Sequence, residues 1–452
     1  MTAGAASGFD CDVLVAGGGP AGSTLAALLA REGRSVVLLE KDRHPRFHVG
    51  ESLLPANARL FDDLGVREAI ERIGIVKLGA EFVSPHHGHT SVVEFADAMD
   101  KSMPLAWQVR RSQFDEILIG AAERAGAKVR QGCAVRDVTF DADGVTVQAL
   151  QRAASGAAAA PETLRARYFV DATGRDTMLA TKFGIKRKHT KHNSAALFGH
   201  FRGARRLPGK MEGSITIFWF EHGWFWFIPL ADGTTSVGAV CWPHYLKTRD
   251  KPLVDFFLET VAMSAPLAER LQGAELVDDA VYATGNYAYA ADRASGERYV
   301  SVGDAYAFID PVFSSGVYLA MASSYAALPV VQKTLAAGPA AAAAERRRFE
   351  AHMRKGPRVF NWFIVRMTNP AIRELFMHPR NVLRAKEAVL GVLAGDIFST
   401  TPLWRGLLAF KFFYYTTSLV MLPRSLRAWV QRRSLIRDVG ELKGENVMVP
   451  GR

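Results

Sequence analysis

Three glycines near the start of the chain have the spacing that dinucleotide-binding proteins use to hold a pyrophosphate. Gly17, Gly19 and Gly22 follow an apolar run with the spacing GxGxxG, and Glu40 closes a second apolar run. The first glycine permits a tight turn, the second lets the backbone approach the pyrophosphate, and the third allows a helix to pack closely on a strand. A carboxylate at the place of Glu40 can accept hydrogen bonds from ribose hydroxyls. These residues predict a site for an adenine dinucleotide.

A strand, a turn, a helix and a second strand are needed to hold these four residues. The stretch CDVLVAGGGPAGSTLAALLAREGRSVVLLEKD (11–42) contains them in that order, with strands predicted at 13–16 and 36–39. The helix begins beside the predicted pyrophosphate site, where its free N–H groups and its dipole favour an anion. A glycine motif with all of its elements in register is much more specific than GxGxxG alone. The sequence therefore predicts a Rossmann unit at this end of the chain.

Two tryptophans form a second unusual feature. In EHGWFWFIPL (221–230), Trp224 and Trp226 are two positions apart, so in a strand both indoles point to the same face. The surrounding stretch 214–242 is typical of a three-stranded antiparallel meander with turns at 221–223 and 231–233. Core packing alone would explain two buried indoles. A functional role is compatible with packing, and other motifs have to support it.

Two later segments point to the identity of the dinucleotide. YFVDATGRD (168–176) and RYVSVGDAYAFIDPVFSSGVYLAMASSYAAL (298–328) each place an apolar strand before a glycine turn. They resemble the second and third flavin-contact motifs of the para-hydroxybenzoate-hydroxylase-like FAD enzymes. The resemblance covers about residues 10–330 and implies FAD as the cofactor. It places Asp304 beside the ribityl and phosphate region of the flavin.

Two further patterns resemble those of the flavin-dependent halogenases within these FAD enzymes. GWFWFIP fits WxWxIP through Trp224 and Trp226, and FIDPVFSSG fits FxxPxxSxG through Pro311 and Gly316. In that family the tryptophans lie beside the flavin and keep substrate away from it. The second loop lies where the halide meets the flavin. The resemblance implies cofactor contacts for Pro311 and Gly316, and halide contacts for Ser315 and Gly316, whose N–H groups could form an anion-binding nest.

The resemblance extends to other residues near the flavin. GESLLP (50–55) is a segment that these halogenases share near the isoalloxazine, and Arg46 in the preceding HPRFHV is expected to contact the cofactor. Arg110, in WQVRRSQFDEIL, matches the arginine that the family places beside the cofactor.

A lysine follows GESLLP at the place where halogenases carry one. Lys77 stands in IVKLGAEF, before a predicted strand. In that family, hypohalous acid made at the reduced flavin from halide and dioxygen passes through an interior tunnel to this lysine. An amine or ammonium can guide the acid by hydrogen bonding or as a haloamine, and burial would lower the pKa of the lysine. A lone lysine is usually a solvated surface charge. With these patterns around it, Lys77 is predicted to be catalytic, and Trp224 and Trp226 to separate the flavin from the substrate.

The predicted fold class is α/β, with a Rossmann-type FAD-binding domain, an antiparallel β-sheet on the substrate side and a helical C-terminal region. The core is expected at 1–345 and the basic helical region at 346–452. Within the core, we expect Rossmann segments at about 10–60, 105–185 and 285–335, and sheet segments at about 75–105 and 190–285. The alanine-rich stretch 336–348 marks the boundary.

The net charge of +11 is concentrated in the last quarter of the chain. Residues 346–452 contain 20 Lys and Arg against 7 Asp and Glu, a net charge of +13. There an apolar run at 407–422, interrupted by Lys411, is too short to span a bilayer, which takes about 20 apolar residues. It is followed by Arg424, Arg427, Arg432, Arg433 and Arg437. Two explanations stay open: a surface for a membrane or an acidic carrier protein, and core helices with a solvated basic face. No nucleic acid is expected, because no motif for it accompanies the charge.

Neither the histidines nor the cysteines predict a metal site. His86, His87 and His89 of PHHGHT (85–90) lie in a Pro/Gly turn without a nearby Asp, Glu or Cys, which favours a solvated loop. KRKHTKHN (186–193) is expected to be an exposed basic loop. The three cysteines form no CxxC pair, which suits a reducing cytoplasm. No signal peptide is apparent, so we expect a cytoplasmic protein, with peripheral contact at the inner face of the membrane as an option.

The resemblance leaves the substrate class broad. Tryptophan halogenases are longer and have a second catalytic carboxylate, which we cannot place in this sequence. DPVFSSGV and the compact C-terminal region look like the phenol and pyrrole types, which often act on acyl-carrier-bound substrates. The predicted function is halogenation of an electron-rich aromatic or carrier-tethered substrate with chloride or bromide, the reduced FAD coming from a separate flavin reductase.

Two alternatives remain open. One is an FAD-dependent monooxygenase or reductase of the geranylgeranyl-reductase type, and the other is a non-catalytic FAD protein of a membrane-bound biosynthetic complex, descended from a halogenase. Neither needs Lys77 or the tryptophan pair.

Overall fold

The computed structural model describes residues 8–152, 158–189, 192–285, 288–308 and 310–437, with side chains for all of these except 152, 158–160 and 432–437. In this part of the chain the strands are β1 (Cys11–Ala16), β2 (Val36–Glu40), β3 (Ile75–Lys77), β4 (Gly79–Val83), β5 (Thr90–Glu94), β6 (Ala106–Gln108), β7 (Lys128–Gln131), β8 (Cys133–Phe140), β9 (Val145–Arg152), β10 (Ala158–Asp171), β11 (Lys186–Lys188), β12 (Ala195–Arg202), β13 (Ile215–Phe220), β14 (Gly223–Pro229), β15 (Thr234–Cys241), β16 (Glu275–Leu276), β17 (Tyr282–Thr284), β18 (Tyr289–Ala291), β19 (Tyr299–Ser301) and β20 (Ala307–Phe308).

The α-helices of the same part are α1 (Pro20–Arg31), α2 (Asn57–Leu64), α3 (Arg67–Ile73), α4 (Arg111–Arg124), α5 (Met178–Lys182), α6 (Pro243–Leu246), α7 (Leu253–Ala262), α8 (Ala265–Arg270), α9 (Gly316–Ala341), α10 (Ala343–Ile364), α11 (Pro370–Met377), α12 (Ala385–Ala394), α13 (Leu403–Val420) and α14 (Leu422–Arg437).

The first sheet is the predicted Rossmann unit. Its strands follow the order β7-β2-β1-β10-β9-β8, and β19 pairs with β10. The pairs β1–β2, β1–β10, β2–β7 and β10–β19 are parallel. The apolar runs of β1 and β2 are buried because helices cover one face and the β8–β9 hairpin packs near the other. Since β1, β10 and β19 end side by side, the turns that follow them meet at one edge of the sheet.

The second sheet carries the tryptophans and confirms the predicted meander. Its order is β16-β12-β15-β14-β13-β4-β5, with β17 paired to β12. The pairs are antiparallel except β13–β4, which is parallel. Strand alternation sends Trp224 and Trp226 into an apolar cluster with the C-terminal helices. Phe225 and Phe227 pack on the opposite face with α7 and α8.

The C-terminal helices share their core with the second sheet. The predicted boundary at 336–348 falls where α9 ends and α10 begins, and Gly338 has a positive φ of 84° there. Phe360 and Phe376 belong to the same buried cluster as Trp224. The division into 1–345 and 346–452 stays a prediction, because the two parts are packed together. Among the described residues, no helix is both long and apolar enough to cross a membrane.

Candidate active site

The glycine turn after β1 has the close packing that its motif predicts. Gly17 has a φ of 107°, and a Cβ atom there would lie 2.2 Å from the main-chain oxygen of Ala172. A Cβ on Gly22 would lie 1.9 Å from the oxygen of Gly17. At Gly19 the nearest such atom is a guanidinium nitrogen of Arg46, 3.9 Å away. The first and third glycines therefore have no room for a side chain, and the second leaves space at the turn for a ligand.

Glu40 and Arg46 lie beside this turn. The buried carboxylate of Glu40 accepts hydrogen bonds from the N–H of Gly18 at 2.6 Å and of Asp42 at 2.8 Å. Arg46 Nε is 4.0 Å from Glu40 Oε1 and donates no hydrogen bond to any described residue, although it is buried. A buried donor without an acceptor, next to a turn with space for a ligand, fits the anionic dinucleotide.

The two arginines of WQVRRSQF point to different sides. Arg110 donates to Asp232 at 2.8 Å, in the turn between β14 and β15. Arg111 is buried and forms two hydrogen bonds to Asp115, at 2.9 and 3.0 Å. Arg46 lies 3.5 Å from the same carboxylate. Arg111 thus accompanies Arg46 on the dinucleotide side, and the assignment of Arg110 to the cofactor stays a prediction. The sequence offers two adjacent arginines, and they differ in structure because Arg110 is in extended backbone whereas Arg111 is the first residue of α4.

Asp304 lies in the turn after β19, at the same edge of the sheet. Burial raises the pKa of its carboxyl to about 6, although Arg175 and Arg111 act in the opposite direction. Its main-chain oxygen accepts a hydrogen bond from the Tyr289 hydroxyl at 2.9 Å. The turn forms one wall of a pocket that includes Ser315 and is closed on the other side by α10.

The loop at 310–316 is held by Asp310, a residue that the sequence did not single out. The buried Asp310 carboxylate accepts from the N–H of Val312 at 3.1 Å and from the hydroxyl of Ser194 at 3.0 Å. His192 Nε2 lies 2.8 Å from the same carboxylate and donates to it. Ser314 has a φ of 54°, after which α9 begins at Gly316. Asp310 therefore fixes the backbone on which Pro311, Ser315 and Gly316 lie.

The partner of Asp310 corrects one expectation. Residues 186–188 are exposed as predicted but form the strand β11, His192 is only 6% exposed, and residues 190–191 lie outside the described part of the chain, so the prediction of an exposed loop over KRKHTKHN is not met. The histidine is buried because it pairs with Asp310. The neighbouring sequence does not show this pair, since the acid lies 118 positions further along the chain. Its position next to the apolar start of β12 was the signal in the sequence that it enters the core.

The two tryptophans are neighbours on one face of β14. Both are buried, and their ring centroids are 6.1 Å apart. Trp226 Nε1 donates to Ser236 Oγ at 3.1 Å. Gly238 is opposite Trp226 on β15, and a Cβ atom there would lie 2.1 Å from the indole. The packing interpretation is therefore correct for both indoles, and their role in separating flavin from substrate stays a prediction.

Lys77 ends β3 and is 2% exposed. Its ammonium nitrogen donates to Ser52 Oγ at 2.9 Å and to the main-chain oxygen of Leu53 at 3.0 Å, and it lies 5.4 Å from the centre of the Phe95 ring. Among the described residues, no carboxylate forms an ion pair with it. Burial lowers the pKa of Lys77 from 10.5 to about 7. Near neutral pH, the protein therefore holds a mixture of amine and ammonium at a fixed point.

GESLLP connects this lysine to the second sheet. Ser52 and Leu53 hold Lys77, while Glu51 Oε1 is 2.8 Å from Nε2 of the buried His200 on β12. Arg110 lies 3.8 Å from the same carboxylate. His200 was not predicted from the sequence, although a histidine within the apolar run AALFGHFR indicates a buried polar contact.

The histidine turn between β4 and β5 has neighbours that the sequence could not provide. His87 lies against Glu374 of α11 and near His378, which directly follows that helix. The prediction that no acidic residue lies near these histidines is therefore wrong, because Glu374 is distant in sequence but adjacent to His87 in the fold.

Similarity to known proteins identifies the family of this chain. Residues 10–342 match the FAD binding domain family, which agrees with the fold and the glycine turn. The 1H-pyrrole-2-carbonyl-(peptidyl-carrier protein) chlorinase of Pseudomonas fluorescens is 30% identical over 427 residues, 87% of this chain and 91% of that protein. The chain belongs to the flavin-dependent halogenase family.

Other relatives and solved structures are consistent with this membership. A tryptophan 2-halogenase of Chondromyces crocatus is 34% identical over 328 residues, 72% of this chain. The chain spans only 61–64% of the length of the first three curated halogenases that it matches. The myxobacterial chondrochloren halogenase has a TM-score of 0.73 at 31% identity, covering 87% of this chain and 92% of that one. A flavoprotein/dehydrogenase of Cytophaga hutchinsonii has a TM-score of 0.82 at 27% identity, covering 91% and 100%.

Proposed function

We propose that this chain uses reduced FAD, dioxygen and chloride or bromide to halogenate an electron-rich aromatic or acyl-carrier-tethered substrate. The observation that supports this best is the buried Lys77, which has no carboxylate partner among the described residues. An amine without a structural ion pair, held by two hydrogen bonds, is suited to handle a small electrophile. FAD, when bound and reduced, supplies the activation of dioxygen that oxidises the halide.

Lys77 has two ways to act on hypohalous acid. As an ammonium, it donates a hydrogen bond to the oxygen of the acid and polarises the oxygen–halogen bond. As an amine, its lone pair attacks the halogen, so that an N–halogen bond forms, the oxygen–halogen bond breaks and water leaves. With the ammonium, the oxygen–halogen bond breaks as the halogen bonds to a ring carbon, and the oxygen leaves as water; with the haloamine, the nitrogen–halogen bond breaks and the amine is regenerated. In both cases the ring proton is lost to solvent. Ser52 and Leu53 hold the nitrogen in place during either reaction.

Other residues hold the cofactor and the halide. Gly17, Gly19, Gly22, Glu40 and Arg46 are proposed to bind the dinucleotide, since they surround the turn that has space for it. Asp304 is proposed to hydrogen-bond the ribityl chain.

The loop after Asp310 is proposed to face the halide. Pro311 is proposed to contact the flavin there, and the N–H groups of Ser315 and Gly316 to face the halide. Arg111 is an additional candidate for the cofactor side, because it shares Asp115 with Arg46.

The substrate class is inferred from the relatives and from the tryptophan face. The chlorinase that the chain covers almost completely acts, by its name, on a carrier-bound pyrrole. Trp224 and Trp226 are proposed to keep the ring of such a substrate away from the flavin. A separate flavin reductase is proposed to supply the reduced cofactor.

Trapping of oxidised halogen tests the proposed function without the substrate. The FAD-loaded protein is reduced anaerobically and mixed with oxygenated buffer that contains bromide or chloride, taurine and catalase. We expect halotaurine well above the amount that free reduced FAD produces. Oxidation of the flavin without halotaurine, for both halides, would contradict halide oxidation. Direct reduction of the bound flavin by NADPH would then favour the monooxygenase or reductase alternative.

The outer surface of α13 and α14 is proposed to bind an anionic membrane. One side of α13 is core, because Leu403, Phe410 and Tyr414 are buried. The opposite side exposes large apolar groups, and α14 continues this surface: Trp404, Leu408, Phe412, Tyr415, Leu419, Val420, Leu422, Leu426, Trp429 and Val430. Arg405, Arg424 and Arg427 are exposed among them. α13 thus packs into the core on one side, and its exposed face is apolar and not only basic. Bulky apolar groups beside arginines suit a negatively charged lipid surface.

Flotation with lipid vesicles tests this surface. We expect salt-sensitive binding to vesicles that contain phosphatidylglycerol, and little binding to phosphatidylcholine alone. Phe412→Glu and Leu419→Glu together should reduce binding by at least about tenfold, because each removes apolar contact worth about 1.5–3 kcal/mol. Leu258→Glu, at another exposed apolar position, on α7, is the control. Equal binding of the double variant would contradict the proposal, and capture of the protein only by an acyl carrier protein would assign the surface to that partner.

A further inference from the structure

We propose that His87, Glu374 and His378 form a site for a divalent metal ion, best suited to Zn²⁺. The site lies between the β4–β5 turn and the end of α11. Each of the three side chains offers one ligand atom, and these atoms all lie within 4.8 Å of one another. Imidazole nitrogen and carboxylate oxygen are both common ligands of Zn²⁺. Two histidines and one carboxylate leave a fourth position for water.

The carboxylate is central to this arrangement. Glu374 Oε2 is 3.0 Å from His87 Nε2, and Glu374 Oε1 is 2.9 Å from His378 Nδ1. Glu374 lies on α11 and His378 directly follows the helix; the N–H of His378 donates to the main-chain oxygen of Glu374 at 2.9 Å, which keeps the two residues adjacent. In tetrahedral zinc sites, the ligand atoms are roughly 3.4 Å apart, because each bond is about 2.0–2.2 Å long. The side chains of Glu374 and His378 are 39% and 48% exposed, and they have the freedom to close the remaining gap.

His87 is already oriented as a ligand. Its Nδ1 is 2.8 Å from Ser84 Oγ, and its side chain is only 12% exposed. A hydrogen bond on the far nitrogen fixes the ring and presents Nε2, as is usual for metal-binding histidines. His89 is close by, but its Nε2 contacts the main-chain oxygen of Met377 at 3.0 Å, so we do not count it as a ligand.

A metal ion here would join α11 to the second sheet. Two positions after Glu374 on the same helix, Phe376 packs against Phe82 of β4, with ring centroids 4.8 Å apart. Phe82 also stacks on Trp219, which is paired with Trp224 in the sheet. The ion would therefore stabilise the packing of the C-terminal helices on the face that carries the tryptophan pair. This role is structural and does not depend on the proposed halogenase activity.

Titration with Zn²⁺ tests the site directly. The full chain, with bound FAD and with any affinity tag removed, competes for Zn²⁺ with a chromophoric chelator at pH 7.5. We expect one equivalent bound, and a loss of affinity of at least about tenfold in His87→Ala, His378→Ala and Glu374→Gln. His86→Ala is the matched control, since His86 is an exposed neighbour in the same turn and belongs to no ligand set. Its affinity should equal that of the wild type.

Thermal unfolding provides a second measurement. Because Zn²⁺ binds only the folded arrangement, it should raise the Tm of the wild type and of His86→Ala, and leave the Tm of His378→Ala unchanged. His378 is exposed, so we expect this variant to keep its fold. Binding of the same strength in the wild type and all three ligand variants, or no binding in the wild type, would overturn the proposal.

Discussion

Replacing Lys77 by methionine is expected to abolish halogen transfer to an aromatic substrate while FAD stays bound. Methionine fills a similar volume but can neither donate a hydrogen bond to hypohalous acid nor attack its halogen. Loss of one such group typically lowers a rate by about 10²–10⁴-fold. The rate of ring halogenation with a panel of phenols and pyrroles measures the effect, and the flavin absorbance of the purified variant measures cofactor binding.

Halide oxidation and halogen transfer to the ring should respond differently to Lys77→Met. If Lys77 acts on hypohalous acid, halotaurine formation persists in Lys77→Met while ring halogenation is lost. Lys101→Met, which alters an exposed lysine, should leave both unchanged. Loss of halotaurine together with ring halogenation, with FAD bound, would place the lysine in halide oxidation. Normal ring halogenation in Lys77→Met would contradict a catalytic role.

The same variant should be more stable than the wild type at acidic and neutral pH. Burial lowers the pKa of Lys77 from 10.5 to about 7 on folding, so the protonated form opposes folding by up to about 5 kcal/mol. Below pH 7 this cost is fully present. As pH rises from 7 to 10.5, the unfolded chain holds the proton that the folded protein has released, so stability increases and the cost disappears. Denaturant unfolding at pH 6 and pH 10 should show the advantage of Lys77→Met shrinking with pH.

Replacing Asp310 by alanine is expected to weaken halide use and to destabilise the protein. The carboxylate accepts hydrogen bonds from Val312, Ser194 and His192, and its removal leaves buried donors without an acceptor. Each such group costs about 1–3 kcal/mol, so we expect a loss of about 3 kcal/mol or more. The loop with Ser315 and Gly316 would lose its fixed backbone. We expect the halide KM for halotaurine formation to rise at least about tenfold, as for other positioning contacts.

The halide KM distinguishes a role of Asp310 in positioning the halide loop from a general loss of stability. Asp310→Asn keeps an acceptor for the N–H of Val312, and should recover much of the stability and part of the halide KM. Asp292→Ala removes an exposed acid that pairs with Arg187, and should change neither. If Asp310→Ala loses stability but keeps the wild-type halide KM and the wild-type affinity for FAD, then Asp310 supports the fold and does not position the halide loop.

Features set by neighbours in the chain could be predicted from the sequence. The positive φ of Gly17 follows from its place between a strand and a helix. The shared face of Trp224 and Trp226 follows from the alternation of side chains along β14. The parallel strands follow from two apolar runs separated by a helix. These are short-range properties, because backbone conformation and residue period decide them within a few positions.

The tertiary structure decided which side chains meet. The fold buries Lys77, which lowers its pKa, and GESLLP, 24 and 25 positions earlier, supplies the two acceptors of its nitrogen. Asp310 meets His192 across 118 positions, and His87 meets Glu374 across 287. Arg111 shares Asp115 with Arg46, whereas Arg110, in extended backbone just before α4, pairs with Asp232. Burial and partner choice depend on how distant segments pack, and one sequence specifies that packing only through the whole fold.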